Sequence, residues 1–526
     1  MPDPHPRAVI HILNFIRSCD HRDPANDLLD TFDKEVALVD EFSLPATWLL
    51  QYDALIHPDF RERALRLHSR HEVGLWLEIV QPLAERAGIP WRGRTPWDWT
   101  SDVTFTIGYT PDERRALVDA AMADFHATFG VYPKSVGSWY IDGPTLAYLS
   151  ERYGVIGSCN CKDQWGTDNY SLWGGYYSQA YYPSRRNGFL PAQRVEEQVP
   201  IPVFRMLGSD PIYQYDIEST ENGQWVSDLE PAYEAGGGNR DWTRWFFDVS
   251  FRAPRLSFGY AQTGQENSFR WELIAKGMRL QCELIRDMAA RGELRVETLG
   301  ASAAWYRSRY EMTPASAITA LSDWTGGRRR SVWYCCRRFR SNLFWDDGAF
   351  RVRDIHLFDD RYAERYLTEP CRTPGFVADA LPICDGYRWA RDGRKPGWRL
   401  CADASETAGS DALPPALVCD DPVVEEVDDD SLRIAWTTRE GVAIEVACTP
   451  EGLVFSGRDG GWALVFDAGA GWGDPVICRE GTLLRYTYEG FAYEMRVAEG
   501  ELADAPGRRG TLIAAPAGGR IAFSFA

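Results

Sequence analysis

The 526-residue sequence lacks several features that would assign it to a particular class of protein. It has no apolar run of about eighteen residues, so no transmembrane helix is expected. It has no excess of positive charge: the formal net charge of −19 at pH 7 argues against nucleic acids and anionic membranes as partners. The opening "MPDPHPRAVIHILNF" lacks the basic segment and apolar core of a signal peptide, so we expect a cytoplasmic protein.

The cysteine and histidine residues lack the spacing of a metal site. The 12 cysteines follow no regular pattern, and Cys159 and Cys161 in "CNC" are too close for the usual zinc spacing. His68 and His71 in "RLHSRHEVGLWLEIVQP" both precede the apolar strand "EVGLWLEI". We therefore expect reduced, mostly buried thiols, histidines at the edges of a helix and a strand, and neither a metal nor another cofactor.

Aromatic residues, in contrast, are abundant. They make up 13% of the sequence, with 21 tryptophans, and several lie in polar loops. Rings in polar loops are typical of clefts in which an aromatic face stacks on a sugar, although a large core also has aromatic edges. The loop context favours a carbohydrate ligand, and the rings expected to contact it are Trp99, Trp165, Trp173, Tyr176 and Tyr177.

The order of predicted elements indicates two domains. Strands such as "AVIHILNFI" alternate with helices such as residues 111–130, which end at a glycine. Seven or eight such units predict an α/β fold: a parallel sheet closed, or nearly closed, into a (β/α) barrel over residues 1–312. Short alternating runs with turn signals over residues 313–526 predict a C-terminal all-β domain, most simply a sandwich.

Reactive residues of a parallel barrel lie at the carboxyl ends of its strands, and here these ends are rich in acids and amides. A single carboxylate can equally be a helix cap, as Asp142 before "GPTLAYL" illustrates. The density of polar groups nevertheless predicts a small-molecule site. Besides the rings named above, the residues expected to bind the substrate are Arg17, Asp20, His21, Trp139, Lys162, Asp163, Gln164, Asp168, Asp210, Gln214, Gln262 and Gln265.

Two stretches, "PATWLLQYD" and "HEVGLWLE", resemble the second and third strands of the polysaccharide deacetylase fold, and "RVETLGASAAWYRSRY" resembles its closing strand and helix. The resemblance implies a divalent metal held by an aspartate after strand one and by two histidines, four apart, after strand three. No histidine follows strand three here. A metal-dependent carbohydrate deacetylase therefore stands as an alternative, with Asp20, His21 and Asp23 in one loop as its ligands.

A closer resemblance is carried by "NFIRSCDHR", "SCNCKDQWGTDNYSLWGGYYSQAYYPS" and "GYAQTGQENSF". These stretches are similar to a bacterial barrel family of unknown function in which a β-domain follows the barrel. The wider superfamily includes the metal-free glycosidases of glycoside hydrolase family 57, which use carboxylates after strands four and seven. The resemblance implies Asp142 as nucleophile or base and Glu266 as acid, with Glu78 as the substitute for either.

The predicted function follows from this pair, because cleavage of a glycosidic bond needs one protonated and one ionised carboxyl group. We predict a glycoside hydrolase that acts on an oligo- or polysaccharide without a metal. The alternatives are the metal-dependent deacetylase and a carbohydrate-binding protein without catalysis. Carbohydrate is the expected partner in each case, and a homo-oligomer is compatible with the sequence.

Overall fold

The structure of the protein is a computed structural model that describes residues 7–215, 227–390, 394–403, 413–468, 476–506, 508 and 510–525. As far as residue 309, strands and helices alternate in the order β1 (Ala8–Ile16), α1 (Leu28–Glu41), β2 (Thr47–Gln51), α2 (Tyr52–Ile56), α3 (Pro58–Arg66), β3 (Glu72–Trp76), α4 (Gln81–Arg86), α5 (Ser101–Thr104), α6 (Pro111–Phe129), β4 (Val136–Gly137), α7 (Gly143–Tyr153), β5 (Ser158–Asn160), β6 (Gln164–Thr167), β7 (Tyr170–Trp173), β8 (Ala180–Tyr181), β9 (Pro183–Ser184), β10 (Asn187–Pro191), β11 (Val203–Arg205), α8 (Arg240–Phe251), β12 (Gly259–Thr263), α9 (Trp271–Ala290), β13 (Arg295–Val296) and α10 (Leu299–Arg309). Short 3-10 helices cover Thr106–Gly108, Val195–Glu197 and Tyr213–Tyr215.

After residue 309 the described elements are all strands. They are β14 (Ser316–Ala320), β15 (Arg330–Cys335), β16 (Phe339–Asp346), β17 (Ala349–Leu357), β18 (Phe376–Asp379), β19 (Leu381–Asp385), β20 (Gly397–Cys401), β21 (Val423–Glu426), β22 (Leu432–Thr437), β23 (Ala443–Thr449), β24 (Gly452–Gly457), β25 (Ala463–Asp467), β26 (Val476–Glu480), β27 (Leu483–Tyr488), β28 (Phe491–Glu499), β29 (Glu501–Asp504), β30 (Thr511–Ala515) and β31 (Arg520–Ser524).

Local sequence explains the boundaries of the helices. Helix α6 begins at a capping box, in which the Thr110 side chain accepts from the amide of Glu113 and the Glu113 side chain accepts from the amide of Thr110. It ends at Gly130, whose φ of 74° lies in the left-handed region that glycine adopts without strain. Of the helices in the described part of the chain, none is both long and apolar enough to cross a membrane.

The parallel sheet has the strand order β12–β1–β2–β3–β4, and β13 also pairs with β1. A parallel bridge between Ser135 and Gly157 leads from β4 to β5, which pairs in parallel with β11. No backbone pairing joins β11 to β12 within the described residues; instead, the Gln262 side chain in β12 accepts a hydrogen bond from the amide of Leu207. The structure thus shows the α/β class and its parallel sheet, but not the closed barrel that the sequence predicted.

Two antiparallel sheets form the later part of the chain. One has the order β14–β15–β16–β17–β20–β25–β30–β29, with β19 also on β17, and the other has the order β21–β22–β23–β24–β31–β28–β27–β26. Rings join the two sheets: Trp398 and Phe523 have centroids 4.7 Å apart, and Phe350 and Trp436 have centroids 4.8 Å apart. Such a contact between sheets is what a sandwich requires. The domain boundary after residue 312 stays a prediction.

The early and late parts of the chain are interlocked. Strand β18 pairs in parallel with β7, which lies in the aromatic loop between β5 and β8. The indole of Trp173 at the end of β7 donates a 2.8 Å hydrogen bond to Asp385 of β19. The carboxylate of Glu364 accepts a 2.5 Å hydrogen bond from the Tyr140 hydroxyl and a 3.2 Å hydrogen bond from the amide of Gly143. Residues after the predicted boundary at 312 therefore contact the loops and helices that follow strands of the early part of the chain.

Candidate functional site

Three strands of the parallel sheet bring charged side chains to one edge. Arg17 directly follows β1, Glu78 follows β3 and Glu266 follows β12. The carboxyl ends of parallel strands lie on the same side of a sheet, so residues distant in sequence converge there. Nη2 of Arg17 is 2.7 Å from Oε2 of Glu266 and 3.6 Å from Oε2 of Glu78, and Nη1 is 3.6 Å from Oδ2 of Asp20. We call Arg17, Asp20, Glu78 and Glu266 the arginine–carboxylate cluster.

Arg17 is the centre of this cluster and is only 1% exposed. Burying a guanidinium is costly unless carboxylates and hydrogen bonds compensate for its lost hydration, and the surrounding carboxylates provide this compensation. Its Nε and Nη1 atoms nevertheless make no hydrogen bond within the described structure. Both atoms are buried, so they are enclosed by the protein rather than open to solvent.

Asp20 links the cluster to the more exposed Arg22. The Asp20 carboxylate accepts hydrogen bonds from Arg22 Nε at 3.0 Å and from Arg22 Nη2 at 2.5 Å. Burial raises the pKa of Asp20, but the Arg22 hydrogen bonds and the charges of Arg17 and Arg22 outweigh burial, so the net effect lowers it. Arg22 Nη2 lies 3.9 Å from Oε1 of Glu266, which places a second guanidinium at the solvent side of the cluster.

Glu78 holds Arg17 from the inner side. Its Oε2 atom accepts hydrogen bonds from Gln51 Nε2 at 2.6 Å and from the Trp97 indole at 3.1 Å. Burial is the main cause that raises the pKa of Glu78; the charge of Arg17 opposes it and the charge of Glu266 adds to it. Glu78 is 2% exposed and Glu266 is 8% exposed, so Glu266 is the more accessible of the two carboxylates.

Aromatic rings surround the outer side of the cluster. The guanidinium groups of Arg17 and Arg22 lie 4.2 Å and 4.5 Å from the centroid of the Trp97 ring. His21 stacks on Trp99, with centroids 5.4 Å apart and planes inclined by 19°. Trp99 is 36% exposed, so part of its ring surface is open to a ligand. The sequence prediction placed Arg17, Asp20, His21 and Trp99 in one site, and the structure brings them together.

A second acidic segment, residues 227–239, lies beside the cluster. Lys162 after β5 forms a 2.6 Å ion pair with Asp228. The Gln265 side chain donates to Oε2 of Glu230 at 3.4 Å and accepts from the amide of Glu266 at 2.9 Å. Lys162 and Gln265, both predicted ligands, thus connect the segment to the sheet and to Glu266.

Asp142, the predicted nucleophile or base, caps helix α7. Its Oδ1 accepts from the amide of Thr145 at 2.9 Å, and its Oδ2 accepts from the hydroxyl groups of Thr106 at 2.5 Å and Thr145 at 2.8 Å. Arg114 Nη1 lies 3.2 Å from Oδ1, and Asp142 is fully buried. The cap alternative is therefore confirmed, and both oxygens are engaged, so we do not retain the predicted catalytic pairing with Glu266.

In the aromatic loop over residues 162–183, the rings of Trp173, Tyr176 and Tyr177 pack inside the protein, which contradicts their predicted role in a sugar cleft. Trp173 and Tyr176 are 0% exposed and Tyr177 is 2% exposed. Trp173 bonds to Asp385, and Tyr177 stacks on Trp333 of the antiparallel sheet with centroids 3.9 Å apart. Buried rings have no face free for a sugar, so these rings join the two parts of the chain instead.

The other predicted ligands also make contacts within the fold. Asp163 forms a 2.7 Å ion pair with Arg340 and accepts a hydrogen bond from Gln214, and Asp210 accepts a hydrogen bond from the Trp242 indole. Trp139 packs on Phe15 and Trp76, and Trp165 lies under the guanidinium of Arg388. Gln164 donates to the carbonyl of Thr167, and Gln262 accepts from the amide of Leu207. Asp168 has φ 53° in the turn between β6 and β7.

Three residues of the site were not predicted: Arg22, Trp97 and Glu230. Arg22 adjoins Asp20 and His21, so the charge of its loop could have indicated it. Trp97 lies in "RTPWDWT", an aromatic loop like that of Trp99, and could have been included for the same reason. Glu230 in "SDLEP" follows no strand end, and no signal in the sequence places it beside Glu266.

The residues of the site do not suit the divalent metal that the deacetylase resemblance implies. The guanidinium of Arg17 already occupies the space between the carboxylates. Residues 77–81, after β3, include no histidine, while His71 precedes β3, where it accepts from the amide of Ala46 and contacts Asp40. Within the described ranges, no group of three or more His, Cys, Asp or Glu residues is arranged to hold a metal ion.

No family model and no curated protein matches this chain. A proposed glycoside hydrolase/deacetylase from Parabacteroides distasonis has a similar structure, with a TM-score of 0.55 at 14% identity over 72% of this chain and 92% of that one. A proposed polysaccharide deacetylase from Mycobacterium smegmatis gives 0.36 at 14% identity, over 59% and 93% of the two chains. A family 4 acetyl xylan esterase from Clostridium thermocellum gives 0.26 at 12% identity, over 58% and 94%. The first similarity shows a shared fold.

The predicted glycoside hydrolase is wrong. The Parabacteroides distasonis protein, which shares the fold, is described as a glycoside hydrolase/deacetylase, so the fold does not favour the glycosidase over the deacetylase. The structure adds a physical reason, because the assigned carboxylate pair depended on Asp142, which is a buried helix cap. Neither the glycosidase activity nor its carboxylate pair is retained.

Proposed function

We propose that this protein removes acyl groups, most simply acetyl groups, from a carbohydrate by hydrolysis at the arginine–carboxylate cluster. The fold shared with the Parabacteroides distasonis protein, itself described as a glycoside hydrolase/deacetylase, supports this proposal. The observation that carries it is the position of Arg17 between Glu266 and Glu78, at the edge where parallel α/β sheets place their reactive residues.

In the proposed reaction Glu266 is the general base, because it is the more accessible carboxylate of the cluster. It takes a proton from a water molecule as the water oxygen attacks the carbonyl carbon of the acyl group. Negative charge then develops on the carbonyl oxygen. The guanidinium of Arg22 near Glu266 supplies donors for this oxygen, and the buried charge of Arg17 adds positive potential at the same place.

Glu78 and Asp20 are positioning residues in this mechanism. Glu78, held by Gln51 and Trp97, contacts one end of the Arg17 guanidinium, and Asp20 contacts the other. The exposed part of Trp99 would stack on a sugar ring. The residues do not suit a metal, so no step of this mechanism uses one.

A second candidate function is carbohydrate binding without turnover. It is favoured by the ion pair between Glu266 and Arg17, because the 2.7 Å contact with the guanidinium engages an oxygen of the proposed base.

The test is incubation with O-acetylated xylo-oligosaccharides and N-acetylated chito-oligosaccharides, with acetate and new reducing ends measured separately. We expect acetate release without new reducing ends. Glu266→Gln should lower kcat at least about 100-fold, the usual contribution of a general base. The matched control is Glu283→Gln, which removes an exposed carboxylate paired with Arg240, and it should leave kcat unchanged. New reducing ends would refute the proposal, and saturable binding without acetate would establish the second candidate instead.

A further inference from the structure

We propose that Glu230 is the general acid that protonates the leaving group, opposite Glu266 as the base. This inference rests on the proposed deacylation and extends it to substrates with poor leaving groups, above all N-acetylated sugars. The leaving amine of such a substrate cannot depart as an anion and needs a proton as the C–N bond breaks.

The first support is the position of Glu230. The Gln265 side chain connects Glu230 to the backbone of Glu266, since it donates to Oε2 of Glu230 at 3.4 Å and accepts from the backbone amide of Glu266 at 2.9 Å. The residue Glu230 as a whole is partly buried, whereas its neighbours Asp228 and Leu229 are buried.

The second support is that the acidic segment around Glu230 is firmly held. The Gln281 side chain donates to the carbonyl oxygens of Leu229 and Gly237, each at 2.8 Å. The amide of Gly237 donates to the carbonyl of Asp228 at 2.7 Å, and the Asp228 carboxylate is paired with Lys162. Anchors before and after Glu230 hold the backbone of this segment in place, as the positioning of a catalytic acid requires.

The third support is the environment of the carboxyl group. Burial raises the pKa of Glu230; the charge of Asp228 adds to this effect, Lys162 opposes it and Glu266 adds again. Tyr233 also lies close enough to interact electrostatically with Glu230. Glu230 therefore retains its proton more readily than a solvated glutamate, while Glu266 lies against Arg17. Two carboxyl groups in contrasting environments are the usual basis for separate acid and base roles.

The proposed step balances as follows. Glu266 accepts a proton from water while the water oxygen forms a bond to the acyl carbon. The tetrahedral intermediate then collapses, and the C–N bond breaks with its electron pair remaining on nitrogen. Nitrogen receives the proton of Glu230, and acetic acid and the free amino sugar are released. Solvent returns a proton to Glu230 and removes one from Glu266.

The test compares an N-acetylated chito-oligosaccharide with 4-nitrophenyl acetate, whose leaving group departs without protonation. Glu230→Gln should lower kcat/KM for the amide at least about 100-fold and leave kcat/KM for the aryl ester unchanged. The ratio of the two values, measured on one sample, does not depend on the folded fraction. The matched control is Glu234→Gln, which lies in the same segment and removes an exposed carboxylate paired with Lys276 at 3.0 Å.

The outcomes are distinguishable. A selective loss on the amide supports the acid role of Glu230, whereas an equal loss on both substrates, or no loss, overturns it while the proposed deacylation stands. A wild-type protein that releases acetate from neither substrate overturns both proposals.

Discussion

Nη2 of Arg17 and Oε2 of Glu266 lie 2.7 Å apart, although one residue follows the first strand of the sheet and the other follows β12. The register of the sheet produces this contact: β1 and β12 pair in parallel, with His11 opposite Gln262, and both chains leave the sheet at the same edge. A buried guanidinium surrounded by carboxylates is consequently both a structural element and the electrostatic centre of the candidate site.

Replacement of Arg17 by methionine should destabilise the protein by about 3–5 kcal/mol, because Glu266, Glu78 and Asp20 lose their shared counter-charge in a buried place. Denaturant unfolding followed by intrinsic fluorescence measures this loss. Arg240→Met, which breaks an exposed pair with Glu283, is the control and should cost at most about 1 kcal/mol. Equal effects of the two replacements would contradict the role assigned to Arg17.

Treatment with a chelator should change neither acetate release nor thermal stability. The reason is chemical: the cluster offers a guanidinium where a metal would need open carboxylate oxygens, and residues 77–81, directly after β3, include no histidine. Activity and melting temperature measured before and after dialysis against EDTA, with metal content determined by mass spectrometry, check this expectation. Loss of activity restored by a stoichiometric metal would refute it.

Asp142→Asn should reduce stability but not the activity of the folded protein. Asparagine caps a helix as well as aspartate does, but it leaves the buried Arg114 without its counter-charge, which costs roughly 3–5 kcal/mol. The measurements are the free energy of unfolding and kcat per folded molecule. A fall in kcat of several orders of magnitude at normal stability would show instead that Asp142 is a catalytic residue.

Trp99 and Trp173 should respond differently to replacement by alanine. Trp99→Ala removes a partly exposed ring and should weaken binding of a sugar ligand by about 1–3 kcal/mol, taking base stacking as the calibrated analogue. Trp173→Ala leaves a cavity in a fully buried place and should cost about 3–5 kcal/mol of stability. Titration calorimetry and denaturant unfolding separate the two effects; weaker binding in a stable Trp173→Ala variant would contradict this assignment.

Asp385 should contribute stability that disappears in acid. Burial raises the pKa of its carboxyl group, but the hydrogen bond and charge of His356 and the charge of Arg388 outweigh burial and lower it to about 2. Because the folded pKa is below the ordinary value of 3.8, the contribution is fully present above about pH 4 and is lost as the pH falls towards 2. This shift corresponds to about 2 kcal/mol.

The measurement for Asp385 is the difference in unfolding free energy between the wild type and Asp385→Asn at several pH values. The difference should be largest near pH 7 and shrink between pH 4 and pH 2. A difference independent of pH would show that the carboxylate charge of Asp385 contributes nothing.

Local patterns predicted the regular elements well, since each depends on neighbours in sequence. The spacing and capping signals of α6 indicated its start and its end at Gly130. The rule that parallel strands end at one edge indicated Arg17, Glu78 and Glu266 without knowledge of their contacts. Such signals are enough to predict the position of a residue when that position depends on the sheet and not on a contact with a distant part of the chain.

Partners distant in sequence explain what was not predicted. Trp173 and Tyr177 lie in a polar loop that is typical of a ligand cleft, but Asp385 and Trp333 cover them, and no local pattern shows this contact. Asp142 is similar: its position after a strand suggested catalysis, whereas Arg114 and Thr106 make it part of the packing between helices. Glu230 reaches the site through Gln265, a contact between loops that periodicity cannot indicate.

The pairing of β7 with β18 has a consequence for how the chain can be divided. A fragment ending at residue 312 would expose the apolar face of Trp173 to water and leave Asp163 without Arg340. We therefore expect that neither part of the chain folds alone. Both parts should unfold in a single cooperative transition, and shortening the chain from its C-terminus should abolish the folded protein rather than trim an accessory module.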